Sequence, residues 1–200
     1  MAAVATTRRF GYYARLSRKD QATYRTSDAI AAVPLTDVPA LAILARGVEE
    51  ALASGKRVRV AKAATAFIHA FLAQVGAPGL KIHVREVRPD LEDAELHGLY
   101  TFAGGDSPAK LEVWMRTRAL EKVVKPKTFL RTVVHELLHH LDVTIFALED
   151  SFHTEGFFRR ESSVVRALFG EARRESPRGR SVQMTLFGGT MSTTKLPGAP

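Results

Sequence analysis

Two stretches of the chain repeat apolar residues every three or four positions. In DVPALAILARGVEEALASG, Leu41, Leu44, Val48 and Leu52 share one face of a helix that opens at an N-capping Asp37 and stops at Gly55. RVRVAKAATAFIHAFLAQVG continues the period with Val60, Ala64, Phe67, Phe71 and Val75 and closes at Gly76. These predict two packed helices. His69, among alanines and phenylalanines, reads as a histidine satisfied in the core or in a groove, not as a ligand. At Leu80 the period drops to two. LKIHVREV alternates as a half-buried strand, and LHGLYTFAGGDSPAKLEVWMRT reads as two strands around a Gly-Gly-Asp-Ser-Pro turn. Leu111, Val113 and Met115 alternate there with Glu112, Trp114 and Arg116. Pro126 breaks the pattern, and a long amphipathic helix is expected from about Thr128. A loop through Glu149, Asp150 and Ser151 leads to a last helix, EGFFRRESSVVRALFGEA.

This order predicts an α+β fold with N-terminal helices, a small antiparallel sheet and two closing helices. Residues 1–36 lack a sustained period and are expected to form a basic arm with one short helix. Residues 37–175 form the domain. Residues 176–200, rich in Pro, Gly, Ser and Thr, are expected to be a disordered tail.

Composition narrows the chemistry. The 200 residues include no cysteine, which excludes disulfides, thiol catalysis, iron–sulfur clusters and cysteine zinc ribbons. Any metal must be held by histidines and carboxylates. No apolar run approaches the ~20 residues of a membrane span. The N-terminus lacks the apolar stretch of a secretory signal, and the expected compartment is the cytoplasm. A net charge of +8 favours anionic partners. Arg8, Arg9, Arg15, Arg18 and Lys19 gather beside Phe10, Tyr12 and Tyr13. Arg159, Arg160, Arg166, Arg173, Arg174, Arg178 and Arg180 follow the histidine-rich region. Basic residues interleaved with aromatics suit phosphates and stacked bases, so DNA is a candidate partner through the arm and the helices.

The chemistry gathers in RTVVHELLHHLDVTIFALEDSFHTEGFF, which holds four of the seven histidines. His135, Glu136 and His139 spell H-E-x-x-H on the predicted helix. Residues four apart return to one face about 6 Å higher, so both imidazoles can reach one zinc ion. Glu136, one step round, can take a proton from metal-bound water and pass it to a leaving amine. The third ligand must come from further along. His153 is the first choice, with Glu155 and Glu161 as carboxylate alternatives. His140 points about 100° away from His139 and is expected to support the site, line a groove or face solvent. Asp142 is weighed as a solvated helix carboxylate against an acceptor for a ligand imidazole, and the solvated reading is favoured.

HELLH followed by HTEGF resembles the SprT-like zinc metallopeptidases, the group that includes the Spartan proteases. The resemblance covers roughly residues 80–170. It matches His135, Glu136 and His139, then His153, with Phe157 at the aromatic position. Thr154 departs from the family's glycine, and the family's cysteine zinc ribbon is absent. The resemblance implies a minimal zincin core and a peptidase acting on a protein or peptide. The extended substrate would pair with a sheet edge near Gly98–Ala103 or Leu111–Arg116. Tyr100, His140 and Arg159 are candidates for stabilising the oxyanion.

In the tail, Gln183, Leu186 and Phe187 of QMTLF resemble the peptide by which bacterial proteins dock on the DNA polymerase sliding clamp. Together these features point to a zinc peptidase acting on DNA-associated proteins. The alternative is a basic DNA- or clamp-binding protein with a structural or vestigial zinc site. A third reading is a regulatory protease dedicated to one partner, for which the chain offers no recognition element.

Overall fold

A computed structural model describes residues 9–89 and 96–170. Helix α1 spans Arg18–Ala29, and its first turn is capped by the Ser17 hydroxyl, which accepts from the Asp20 N–H at 3.1 Å. Helix α2 spans Val38–Ala53. Asp37 caps it by accepting from the Ala40 N–H at 2.9 Å. Helix α3, Arg57–Val75, ends at Gly76 in the left-handed conformation, φ 67°. The Gln74 side chain bonds the Asp37 N–H and carbonyl, tying the end of α3 to the start of α2.

Strands β1 (Lys81–Val87), β2 (Gly98–Thr101) and β3 (Lys110–Arg116) form one sheet in the order β1-β3-β2. Helix α4, Pro126–Thr144, begins with the proline in its first turn, where a missing N–H costs nothing, two residues before the expected start. Helix α5, Glu155–Leu168, is capped by Thr154, whose hydroxyl accepts from the Phe157 N–H at 2.9 Å. Five α-helices and three strands among the described residues make the fold mixed α+β.

The sheet is not wholly antiparallel. β2 and β3 form the expected hairpin, with Tyr100 opposite Leu111, but β1 runs parallel to β3. β3 is therefore the central strand, and Leu111–Arg116 offers no edge. Its five central residues are buried, so Trp114 and Glu112 are covered as well as Leu111, Val113 and Met115. Among the described residues, the free edge beside the histidines is β2. One core unites Leu41, Val48, Phe67, Phe71, Leu111, Val113, Leu130, Val134, Leu138 and Leu141, with α4 laid across β2 and β3. His69 faces solvent, not core or groove.

Residues 9–36 contain the expected short helix, α1, and pack on the domain. The end of α1 seats on the start of α5, where the Gly156 N–H donates to the Asp28 carboxylate at 2.6 Å. A Cβ on Gly156 would lie 2.5 Å from the Asp28 carbonyl oxygen, so only glycine admits this approach. Among the described residues no helix is long and apolar enough to cross a membrane. Residues 176–200, with the clamp-like Gln183, Leu186 and Phe187, lie outside the described residues.

Candidate metal centre

His135 and His139 project from the same side of α4, one turn apart. After Thr144 the chain reverses, helped by the Leu148 N–H donating to the Asp142 carbonyl at 2.8 Å and by Ala147 at φ 50°. This returns His153 to the face of α4 just before the Thr154 cap. The Nε2 atom of His153 then lies 3.0 Å from Nε2 of His135 and 3.1 Å from Nε2 of His139. The three imidazoles form a group that can hold a metal ion, with ligand atoms all within 4.8 Å of one another. The Phe157 ring lies beneath all three, with centroids 4.9–5.2 Å away.

The outer ring nitrogens show why the inner ones are free to bind. His135 Nδ1 donates to Glu161 Oε2 at 3.1 Å, and that carboxylate also takes the Arg131 guanidinium at 3.2 Å. His139 Nδ1 donates to the Ser151 hydroxyl at 2.7 Å, which donates onward to Asp142 Oδ2 at 2.7 Å. The direction follows from Asp142, which is fully buried and receives Arg160 Nη2 at 2.8 Å. A carboxylate facing a guanidinium accepts, so Ser151 must give it a proton and is left to accept from His139. In the neutral form both rings then carry their proton on Nδ1 and leave the Nε2 lone pair for a metal. Burial, then the neighbouring His135, holds the His153 imidazolium down to about 4, and burial holds His139 well below the usual histidine range. Imidazole nitrogens converging on one point are the donor set of a cation site.

Of the alternatives for the third ligand, the structure brings His153 to the pair. Glu161 is engaged on the far side of His135, and Glu155 lies against Arg159 at 4.0 Å. Asp142 is not a solvated carboxylate. Its surroundings come from the loop and from α5, which helical spacing alone does not reveal.

Glu136 is 6% exposed and meets the edge strand. The Tyr100 N–H donates to its carboxylate, and burial pushes that carboxyl up to about 7 against His135 and this N–H. β2 crosses α4 at Gly98, where a Cβ would lie 2.6 Å from both Glu136 Oε1 and Thr132 Cγ2. Gly98→Ala should therefore cost about 1–3 kcal/mol by overpacking and lift the strand off Glu136. A urea melt showing unchanged stability would count against this contact.

The Tyr100 ring stacks on His139 at 6.5 Å, and its hydroxyl lies 3.0 Å from His140 Nδ1. His140 is 1% exposed and gives its Nε2 proton to the Pro78 carbonyl at 2.8 Å. Its Nδ1 is therefore the acceptor, and Tyr100 the donor. Burial pushes the Tyr100 hydroxyl up to about 12, so it keeps this proton. His140 thus anchors β2 on α4. Arg159 points elsewhere, donating to the Asp28 carbonyl at 2.7 Å. Of the oxyanion candidates, Tyr100 lies against His139 through its ring, while its one hydroxyl proton is engaged by His140.

The roles of Ser151, Arg160, Gly98 and Tyr12 at this site escape a sequence reading. Tyr12 donates its hydroxyl to the His153 carbonyl at 2.9 Å, across 141 positions. Arg160 alone leaves a trace, as an arginine on the apolar face of α5 beside Phe157 and Val164. Ser151→Ala removes the acceptor that holds the His139 proton. We expect metal affinity to fall about 10–100-fold in a chelator competition, and an unchanged affinity would refute the relay.

No protein-family model, curated protein or solved structure matches this chain.

Proposed function

We propose that the protein is a zinc-dependent metallopeptidase of the SprT-like kind. The observation that carries the reading is the convergence of three imidazole Nε2 atoms beside a buried glutamate at the free edge of a sheet. The donor set suits zinc: tetrahedral Zn–N bonds of ~2.0–2.1 Å place nitrogens roughly 3.3–3.4 Å apart, and His153 Nε2 lies 3.0–3.1 Å from the other two within a group spanning at most 4.8 Å. Three protein ligands leave a fourth position open, as catalytic sites do. When bound, zinc supplies a Lewis acid that polarises a carbonyl and acidifies a water.

The residues of the chain supply the rest. An extended peptide aligns with β2, and its scissile carbonyl is brought to the histidines. Glu136 accepts the proton of the attacking water and returns it to the departing amine nitrogen. Tyr100 and Gly98 fix the distance between that carboxylate and the strand. The leucines and valines around α4 keep bulk water from the back of the site. The basic composition supports action on DNA-associated proteins in the cytoplasm, as part of the same proposal.

The test is cleavage of an unstructured protein by the purified full chain, with metal content measured in parallel. Chelation should abolish cleavage, and one equivalent of zinc should restore it. Zinc retained without any cleavage, with or without DNA, would favour the binding-protein alternative.

A further inference from the structure

The edge strand beside the histidines is built unlike a protected edge. Natural sheets guard free edges with charged side chains, proline or covering segments. From Gly98 to Gly105 the sequence GLYTFAGG has no charge and no proline. Two of its large apolar side chains are open to solvent, Leu99 at 40% and Phe102 at 37%. They do not share a face. Leu99 lies opposite Glu112, on the side of the sheet away from the core, whereas Tyr100 lies opposite Leu111, on the side of α4. Phe102, two residues beyond Tyr100, returns to the Tyr100 side. The rings confirm it: Phe102 and Tyr100 meet edge-on at 4.9 Å, and Tyr100 stacks on His139 at 6.5 Å.

Phe102 is thus the outer member of a row running from a candidate metal ligand to solvent along the strand. It does not belong to the hydrophobic core, while Tyr100 packs against it. The backbone agrees with the rings. The Tyr100 N–H donates to Glu136, so the carboxylate is held against the outer side of β2 and an aligned chain would pair with the strand to either side of that bond. A chain aligned there advances ~3.3 Å per residue, so a side chain about two positions from the histidines would reach Phe102.

We propose that Phe102, backed by Tyr100, is a subsite for a large apolar side chain of an extended peptide, so that the protein selects segments bearing aromatic or branched aliphatic residues near the metal centre. This rests on the peptidase reading, but binding can be measured without cleavage.

Two unstructured fluorescent peptides, identical except for a run of alternating Phe or alternating Ala, are titrated into zinc-loaded full-length Glu136→Gln protein. The Phe peptide should bind about tenfold more tightly, and Phe102→Ala in that background should reduce the ratio to near one. Equal thermal melts show that the exposed substitution leaves the fold intact. The same peptides, with wild-type Glu136, report cleavage. A ratio that Phe102→Ala leaves unchanged overturns the subsite, whatever the activity. A ratio that depends on Phe102 without Glu136-dependent cleavage sustains the subsite and overturns the peptidase reading.

Discussion

Glu136→Gln is expected to lower peptide cleavage by about 10²–10⁴-fold while zinc content stays at one per chain. The substitution preserves shape and removes only the capacity to take a proton. The Tyr100 N–H keeps an oxygen to bond, and Gly98 still clears the side chain. A carboxylate at 6% exposure carries a desolvation cost that the amide escapes, so stability should hold or rise. Metal analysis and a thermal melt accompany the kinetics. Residual activity within a few-fold of wild type would remove Glu136 from the proton transfer. Loss of zinc would instead assign it to holding the ligands. A site that merely clipped the fold together would show no effect beyond stability.

Periodicity made the inner part of this site readable. His135 and His139 are four residues apart on an amphipathic helix, and that spacing is a statement about one face. Glu136 follows from the same geometry. The position of His153 depends on a loop reversal, and the reversal rests on Ala147 at positive φ and on the Asp142 carbonyl, which no period encodes. The pairing of β1 with β3 escaped for a related reason. Alternation in LKIHVREV and KLEVWMR tells which residues face the core, but a strand's neighbour is chosen by packing from α3 and α4. The N-terminal residues show the limit most plainly. Tyr12, Ser27 and Asp28 lie in a polar, aperiodic segment, yet each is bonded to the loop carrying His153 or to the helix that follows it. Their partners lie more than 120 residues away, and hydrogen bonds between a side chain and so distant a backbone group leave no mark on local pattern.

Replacing Arg160 by Met should separate two roles that the structure joins in one residue. Arg160 and Asp142 are both fully buried and 2.8 Å apart, and Arg160 also donates to the Ser27 carbonyl at 2.6 Å, linking α5 to α1. Removing one partner of a buried pair leaves the other charge without compensation, at about 3–5 kcal/mol. The variant should melt on the order of 10 °C lower, given about 2–4 °C per kcal/mol for a chain of this size. Removing both charges, as in Arg160→Met with Asp142→Leu, should recover much of that loss, because the stranded carboxylate is gone. Metal affinity should not recover with it. Without Asp142 the Ser151 hydroxyl loses its acceptor, His139 Nδ1 loses its defined partner, and zinc binding should stay about 10–100-fold weaker in chelator competition. Stability and affinity recovering together would mean that the pair acts only on the fold. Stability recovering alone would show that the buried carboxylate orients a metal ligand through Ser151, with Arg160 holding it in place from the direction of helix α1.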